Sequence, residues 1–227
     1  MKILGPRASL AKFRKDLVYL QARLQADKNP AIQALAPSVA GMVGELYSER
    51  DAFETAENLR VIASAQRVGA DDEVDGDLLE LGAESRVKDK ELYARLFPSL
   101  SPSKTAEMPQ AQQVVENKRI LAELKAEEAS NPLRMEYEAE LEADMVALDA
   151  KISNESQTKL NLKLARTHLK AWKAKADKLR VETEAKLVLI LGSKQAASKY
   201  FRADSDARED DEVEEGAPVA KGEGGGE

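Results

Sequence analysis

One dense set of potential metal ligands in this chain is Asp71-Asp72-Glu73-Val74-Asp75-Gly76-Asp77. Its D-D-x-x-D spacing is one by which clustered carboxylates hold Mg²⁺ beneath a diphosphate, since hard cations take oxygen ligands. That chemistry also needs a deep apolar cavity and a second acidic motif on a facing helix. Four Phe and one Trp in 227 residues leave little to wall such a cavity. The same segment places Asp71, Glu73, Asp75, Gly76 and Asp77 at positions one, three, five, six and seven of a calcium loop. Position twelve, however, is Gly82, where a bidentate Glu is required. The expectation is a solvated acidic loop over 71–77, and whether it takes up a cation stays open.

His168 is the single histidine and the chain has no cysteine. Zinc sites and relay-activated nucleophiles draw on several imidazoles or thiols. A Glu-x-x-His pair is also missing, because residue 165 is Ala. No G-x-x-x-x-G-K-[ST], G-x-G-x-x-G or G-x-S-x-G motif occurs, and the terminal Gly-Gly-Gly follows no strand. No catalytic residue, cofactor site or metal site is assigned, and the chain is not expected to be an enzyme.

The elements that carry these residues read as helices. Leu133 to Leu191 contains neither Gly nor Pro, and its charge changes sign halfway. Residues 133–155 hold seven acids against Arg134 and Lys151; residues 156–180 hold eight bases against Asp177 alone. Met135 to Met145 alternates with a period of two, a strand-like pattern, yet Met, Glu, Ala and Leu are strong helix formers and favour helix there. Leu162, Ala165, Leu169, Trp172, Ala176, Leu179, Thr183, Leu187 and Ile190 then form an apolar seam at heptad spacing. Lys163, Arg166, Lys170 and Lys173 each sit one position after a seam residue, where flanking charges select partner and direction. Either the helix is continuous, about 85–90 Å at 1.5 Å per residue, or it folds back as a hairpin within 153–158. Unbroken heptad spacing favours continuity. Acidic and basic halves would then pair antiparallel between two copies.

Ahead of it, residues 7–27 predict a helix with Leu10, Phe13, Leu17, Leu20 and Leu24 on one face, ended by Asn29-Pro30. A second helix is expected from about 37 to 68, closed by Gly69, a third over 78–97, and another over 110–129 ended by Asn131-Pro132. The domain reading is a helical unit (1–97), a Pro/Ser-rich linker (98–109), a coiled-coil unit (110–202) and an acidic, Gly-rich disordered tail (203–227). The fold class expected is all-α: an elongated helical bundle with a long coiled-coil helix or helical hairpin in its C-terminal half.

One third of the residues are charged, 4% are aromatic and the formal net charge is −7. Narrow seams along long helices suit that composition better than a large core. The longest apolar run, Leu187 to Leu191, is far short of the about twenty residues a bilayer needs. Met1 to Pro6 has no apolar stretch of a secretory signal. A soluble, cytoplasmic protein is expected. The function expected is a non-enzymatic coiled-coil scaffold, adaptor or assembly component, associating with a protein partner or with itself as a homo-oligomer. The alternative is a binder of an anionic surface, nucleic acid or membrane, through the basic stripe at 159–180, masked by the acidic tail. For nucleic acid the stacking aromatics are missing, and for a membrane surface the N-terminal helix is the better candidate. Neither is the leading expectation.

Overall fold

The computed structural model describes residues 3–202, and the expected tail at 203–227 lies outside them. Every regular element among the described residues is a helix. They are α1 (Leu10–Gln25), α2 (Pro30–Gln33), α3 (Ala36–Lys88), α4 (Lys90–Leu96), α5 (Pro102–Ala106), α6 (Gln110–Ala126), α7 (Pro132–Leu191) and α8 (Lys194–Ser198). None is long and apolar enough to cross a membrane.

Local chemistry sets most of the boundaries. The Ser9 hydroxyl caps α1 by accepting the Lys12 N–H at 3.1 Å. Asn29 caps α2 through the Ala31 N–H, with Pro30 in the first turn. Asn131 Oδ1 accepts from Leu133 N at 2.9 Å and starts α7 in the same way. Gly192, at φ 67°, ends α7 in the left-handed region that glycine enters without steric cost. α7 is a single 60-residue helix, so the hairpin at 153–158 is not formed.

α3 differs from expectation. It is also a single helix, of 53 residues, and it runs through both Gly69 and the acidic segment 71–77. The reason lies in packing. Ala63, Ala70, Val74, Leu78 and Leu81 continue one buried stripe across the glycine. A mid-helix Gly costs about 1 kcal/mol, whereas each large apolar side chain buried contributes about 1.5–3 kcal/mol. The stripe outweighs the breaker.

Contacts divide the chain into two compact units: residues 1–54 with 164–227, and residues 55–163. α3 and α7 each contribute to both units; the second unit is contiguous in sequence, the first is not, and the segment 98–109 falls inside the second. The first unit packs α1, α2 and the outer ends of α3 and α7 around Phe13, Leu17, Leu20, Leu24, Trp172 and Leu187. The second packs α4 and α6 with α3 and α7 around Val74, Leu78, Leu92, Ile120, Leu124 and Leu141. The expected linker belongs to this second unit. Thr105 of α5 is buried, and Pro102 packs so tightly on Gly82 that a Cβ there would overlap the proline ring.

Candidate interaction surfaces

In the first unit the basic half of α7 meets helices of its own chain. Trp172 stands edge-on to Phe13 of α1 and donates its indole N–H to the Met42 carbonyl of α3 at 3.3 Å. Ala176 is fully buried in the same core, Leu169 is buried, and Leu179 and Ala165 are half-buried. The seam's partner in this fold is therefore α1 and α3, and Trp172 and Ala176 present no surface to another molecule. Leu162, in the second unit, is buried as well. The flanking bases divide. Lys163, Arg166 and Lys170 are exposed, while Lys173 donates to the carbonyls of Pro6 (3.2 Å) and Ala8 (2.7 Å). That contact holds the Arg7 turn against α7 at Lys173, with Lys170 and Arg166 one and two turns away along the helix.

The one acid within the basic run is structural. Asp177 accepts the backbone N–H groups of Leu4 (3.0 Å) and Gly5 (2.8 Å), fixing the chain ahead of α1. Arg180 Nη1 donates to Asp177 at 3.0 Å, and Nη2 donates to Asp16 of α1 at 2.9 Å. All three side chains are buried. Sequence reading missed this triad, although a lone Asp three residues before Arg180 in an otherwise basic run was its signal. At the far end of α1, the Tyr200 hydroxyl donates to Asp27, and that bond, ahead of the Asn29 backbone N–H, holds the Asp27 carboxyl below its ordinary value. Arg23 lies over the Tyr200 ring at 5.7 Å.

Between α1 and α3 of this unit is an open groove of about 260 Å³, lined by Leu10, Ala11, Arg14, Leu46, Tyr47 and Arg50. The Arg50 guanidinium lies over the Tyr47 ring at 5.7 Å and pairs with Glu54 at 3.3 Å. Sequence reading missed the groove, because α1 and α3 must be docked before Arg14 and Arg50 share a wall.

In the second unit the acidic half of α7 is matched from within the chain. Arg67 of α3 reaches Glu155 (3.3 Å), Lys118 of α6 reaches Asp149 (2.9 Å), and Lys125 reaches Glu142 (2.6 Å). The Lys159 ammonium bonds to Glu155 and, as the largest influence, lowers that carboxyl below its ordinary value. The segment 71–77 is helical instead of the expected loop, so it turns its acids to different neighbours. Asp75 accepts from Gln113 of α6 at 2.6 Å, yet burial first, and Asp71 second, push its carboxyl up to about 6. Asp77 is also raised to about 6, by burial and then by the Asp144 carboxyl within hydrogen-bonding reach across α7, with Glu140 and Glu80 adding to it. Its Oδ2 is buried without a partner, as are both amide atoms of Asn117 on α6. Among the described residues no group of three or more His, Asp and Glu side chains is disposed to hold a metal ion. His168 is exposed on α7.

Charge separates between the units. Residues 1–54 and 164–202 carry eighteen bases and nine acids, whereas residues 55–163 carry fourteen bases and twenty-two acids. Comparison with family models, with curated proteins and with solved structures finds no match to this chain.

Proposed function

We propose that this protein is a non-enzymatic scaffold or assembly component, cytoplasmic in setting, that associates through its charged helical surfaces. The observation that carries the reading is the separation of charge: a basic unit and an acidic unit in one chain. Opposite surfaces steer encounter and fix register, and like-charged arrangements are rejected. Each copy offers both signs, so the first partner to consider is another copy, with the basic unit of one against the acidic unit of the next. The apolar seam of α7 is filled by α1 and α3, so association of this kind rests on charge and is screened by salt.

Light scattering behind size exclusion tests the proposal at about 0.02 M and about 0.5 M salt, Debye lengths of about 20 Å and 4 Å. The expected result is a mass above the 24.9 kDa chain at low salt that falls to the monomer at high salt. A monomer at both salts defeats self-association. An oligomer indifferent to salt defeats charge as its cause.

The exposed Arg166 and Lys170 beside the Arg7 turn favour a second reading, in which the basic unit binds an anionic polymer or lipid surface. Here affinity for DNA or acidic vesicles falls steeply with salt while the protein stays monomeric.

A further inference from the structure

We infer that the first half of α6, residues 110–118, is a hinged flap that opens away from α3 and α7 of its own unit while the second half stays docked, a motion independent of the association proposed above. The chemistry of the inner stripe of α6 changes along its length. Gln110, Gln113 and Asn117 turn inward in the first half, and Ile120, Leu121 and Leu124 do so in the second. Gln113 and Asn117 are as deeply buried as the apolar residues that follow. Burial of apolar surface is favourable in proportion to its area, whereas a buried amide costs free energy unless it is bonded.

In the first half the bonds are few. Gln113 Nε2 donates to Asp75 of α3 at 2.6 Å, but Gln110 Nε2 and both amide atoms of Asn117 are buried without a partner. Beside Asn117 a cavity of about 10 Å³ separates Val114 of α6 from Met145 and Leu148 of α7. The start of the helix is unsupported too. Pro109 stands at its N-cap and supplies no side-chain bond, whereas Ser9 and Asn29 cap α1 and α2. The second half is fastened twice. Ile120, Leu121 and Leu124 share the core of the unit with Leu92 and Leu96, and Arg119 donates to the carbonyls of Arg95 and Leu96 at the end of α4. Local opening starts where buried apolar contacts are fewest, so the hinge falls between Asn117 and Arg119.

Asp75 makes the motion depend on protons. On α3 it is repelled by Asp71 and Asp72, and from α6 it meets the Gln113 amide. The bases around it are engaged elsewhere: Arg67 of α3 with Asp71 and Glu155, and Lys118 of α6 with Asp149 of α7. Burial, ahead of Asp71, raises the Asp75 carboxyl to about 6, and opening returns it to water and to its ordinary value of 3.8. The closed form therefore binds the extra proton, and opening is favoured as pH rises through 6. Between pH 7.5 and pH 5 the ratio of open to closed falls about tenfold.

The chain has no cysteine, so nitroxide pairs on the full-length protein report each half separately. Val115→Cys/Ala150→Cys flanks the Lys118–Asp149 pair, and Ala122→Cys/Ala143→Cys flanks the Lys125–Glu142 pair; all four positions are exposed. Pulsed electron paramagnetic resonance, on samples diluted with unlabelled chain, measures both. The first pair is expected to show a short and a longer population at pH 7.5, with their ratio shifted about tenfold toward the short one at pH 5. The second pair is expected to show one narrow population at both. Asp75→Asn keeps an acceptor for Gln113 without the charge, and Asn117→Leu makes the stripe apolar; each depletes the longer population at pH 7.5. A single narrow population for the first pair at pH 7.5 overturns the inference. So does equal broadening of both pairs, which would mean that α6 undocks as a whole, and so does a longer population that persists unchanged in Asp75→Asn and Asn117→Leu.

Discussion

Phe13 and Trp172 meet edge to face, with ring centroids 5.6 Å apart and planes inclined by 68°. This contact joins the first helix to the last long one and makes Trp172 part of the core of its unit. The heptad seam of α7 is thereby an internal packing surface in its outer portion, and the physics of its residues is that of core residues.

Replacing Trp172 by Ala removes the aromatic contact, the bond to Met42 and a large buried volume. A loss of about 3–5 kcal/mol is expected, the range for large aromatic-to-Ala changes in cores. Urea unfolding followed by far-UV circular dichroism checks it. Unchanged stability would return Trp172 to the role of a partner-facing residue.

Arg180 neutralises two buried carboxylates, Asp16 and Asp177, and Asp177 in turn holds the N–H groups of Leu4 and Gly5. Arg180→Leu removes the guanidinium that bridges these two buried acids. Such a change costs about 3–5 kcal/mol, and it should also free the segment ahead of α1. Thermal unfolding measures the first effect, and hydrogen exchange at Leu4 and Gly5 the second. Exchange at those two amides no faster than in the parent chain would contradict the assignment.

The Asp77–Asp144 pair makes stability depend on pH in an unusual direction. The folded carboxyl of Asp77 titrates at about 6, above its ordinary value of 3.8, and Asp75 behaves alike. The folded state therefore binds more protons than the unfolded state between about pH 4 and 6. Their contribution is most favourable at the acidic end of that window and declines as pH rises through 6. Asp77→Asn keeps the shape, can donate to Asp144 and should gain about 1 kcal/mol at pH 7.5, once solvent screening at this half-open site is allowed for. Urea midpoints at pH 5 and 7.5 for both chains decide the matter. A parent chain more stable at 7.5 than at 5, with no gain from Asn, would refute it.

Gly82 sits mid-helix, so Ala would ordinarily stabilise by about 1 kcal/mol. Here the new Cβ would overlap Pro102 Cγ and lie 3.4 Å from the Phe97 ring. Overpacking of that kind costs about 1–3 kcal/mol and exceeds the propensity gain. Gly82→Ala is expected to lower the melting temperature, whereas Gly69→Ala, where the new methyl meets nothing within 4 Å, is expected to raise it. Matching shifts in both variants would argue that Pro102 does not pack on α3.

The sequence by itself determined what local forces decide. The Gly/Pro-free run of α7, the apolar spacing of α1 and the Asn-Pro steps at 29–30 and 131–132 made the all-α class and those boundaries legible, because periodicity and chain breaking act within a few residues. The continuity of α3 was half visible: Ala70, Val74, Leu78 and Leu81 extend its stripe, but Gly69 and seven consecutive residues rich in acids argued locally for a loop. Only burial of that stripe overrules them. What the seam packs against was not legible at all. Trp172 and Met42 are 130 residues apart, and a helix stripe records that it must be covered without recording by what. The same holds for charge. The sign change along α7 is written in the chain, but its complements on α3 and α6, the buried Arg180 triad, the paired Asp77 and Asp144, and the Arg14–Arg50 groove exist only once distant helices are packed side by side.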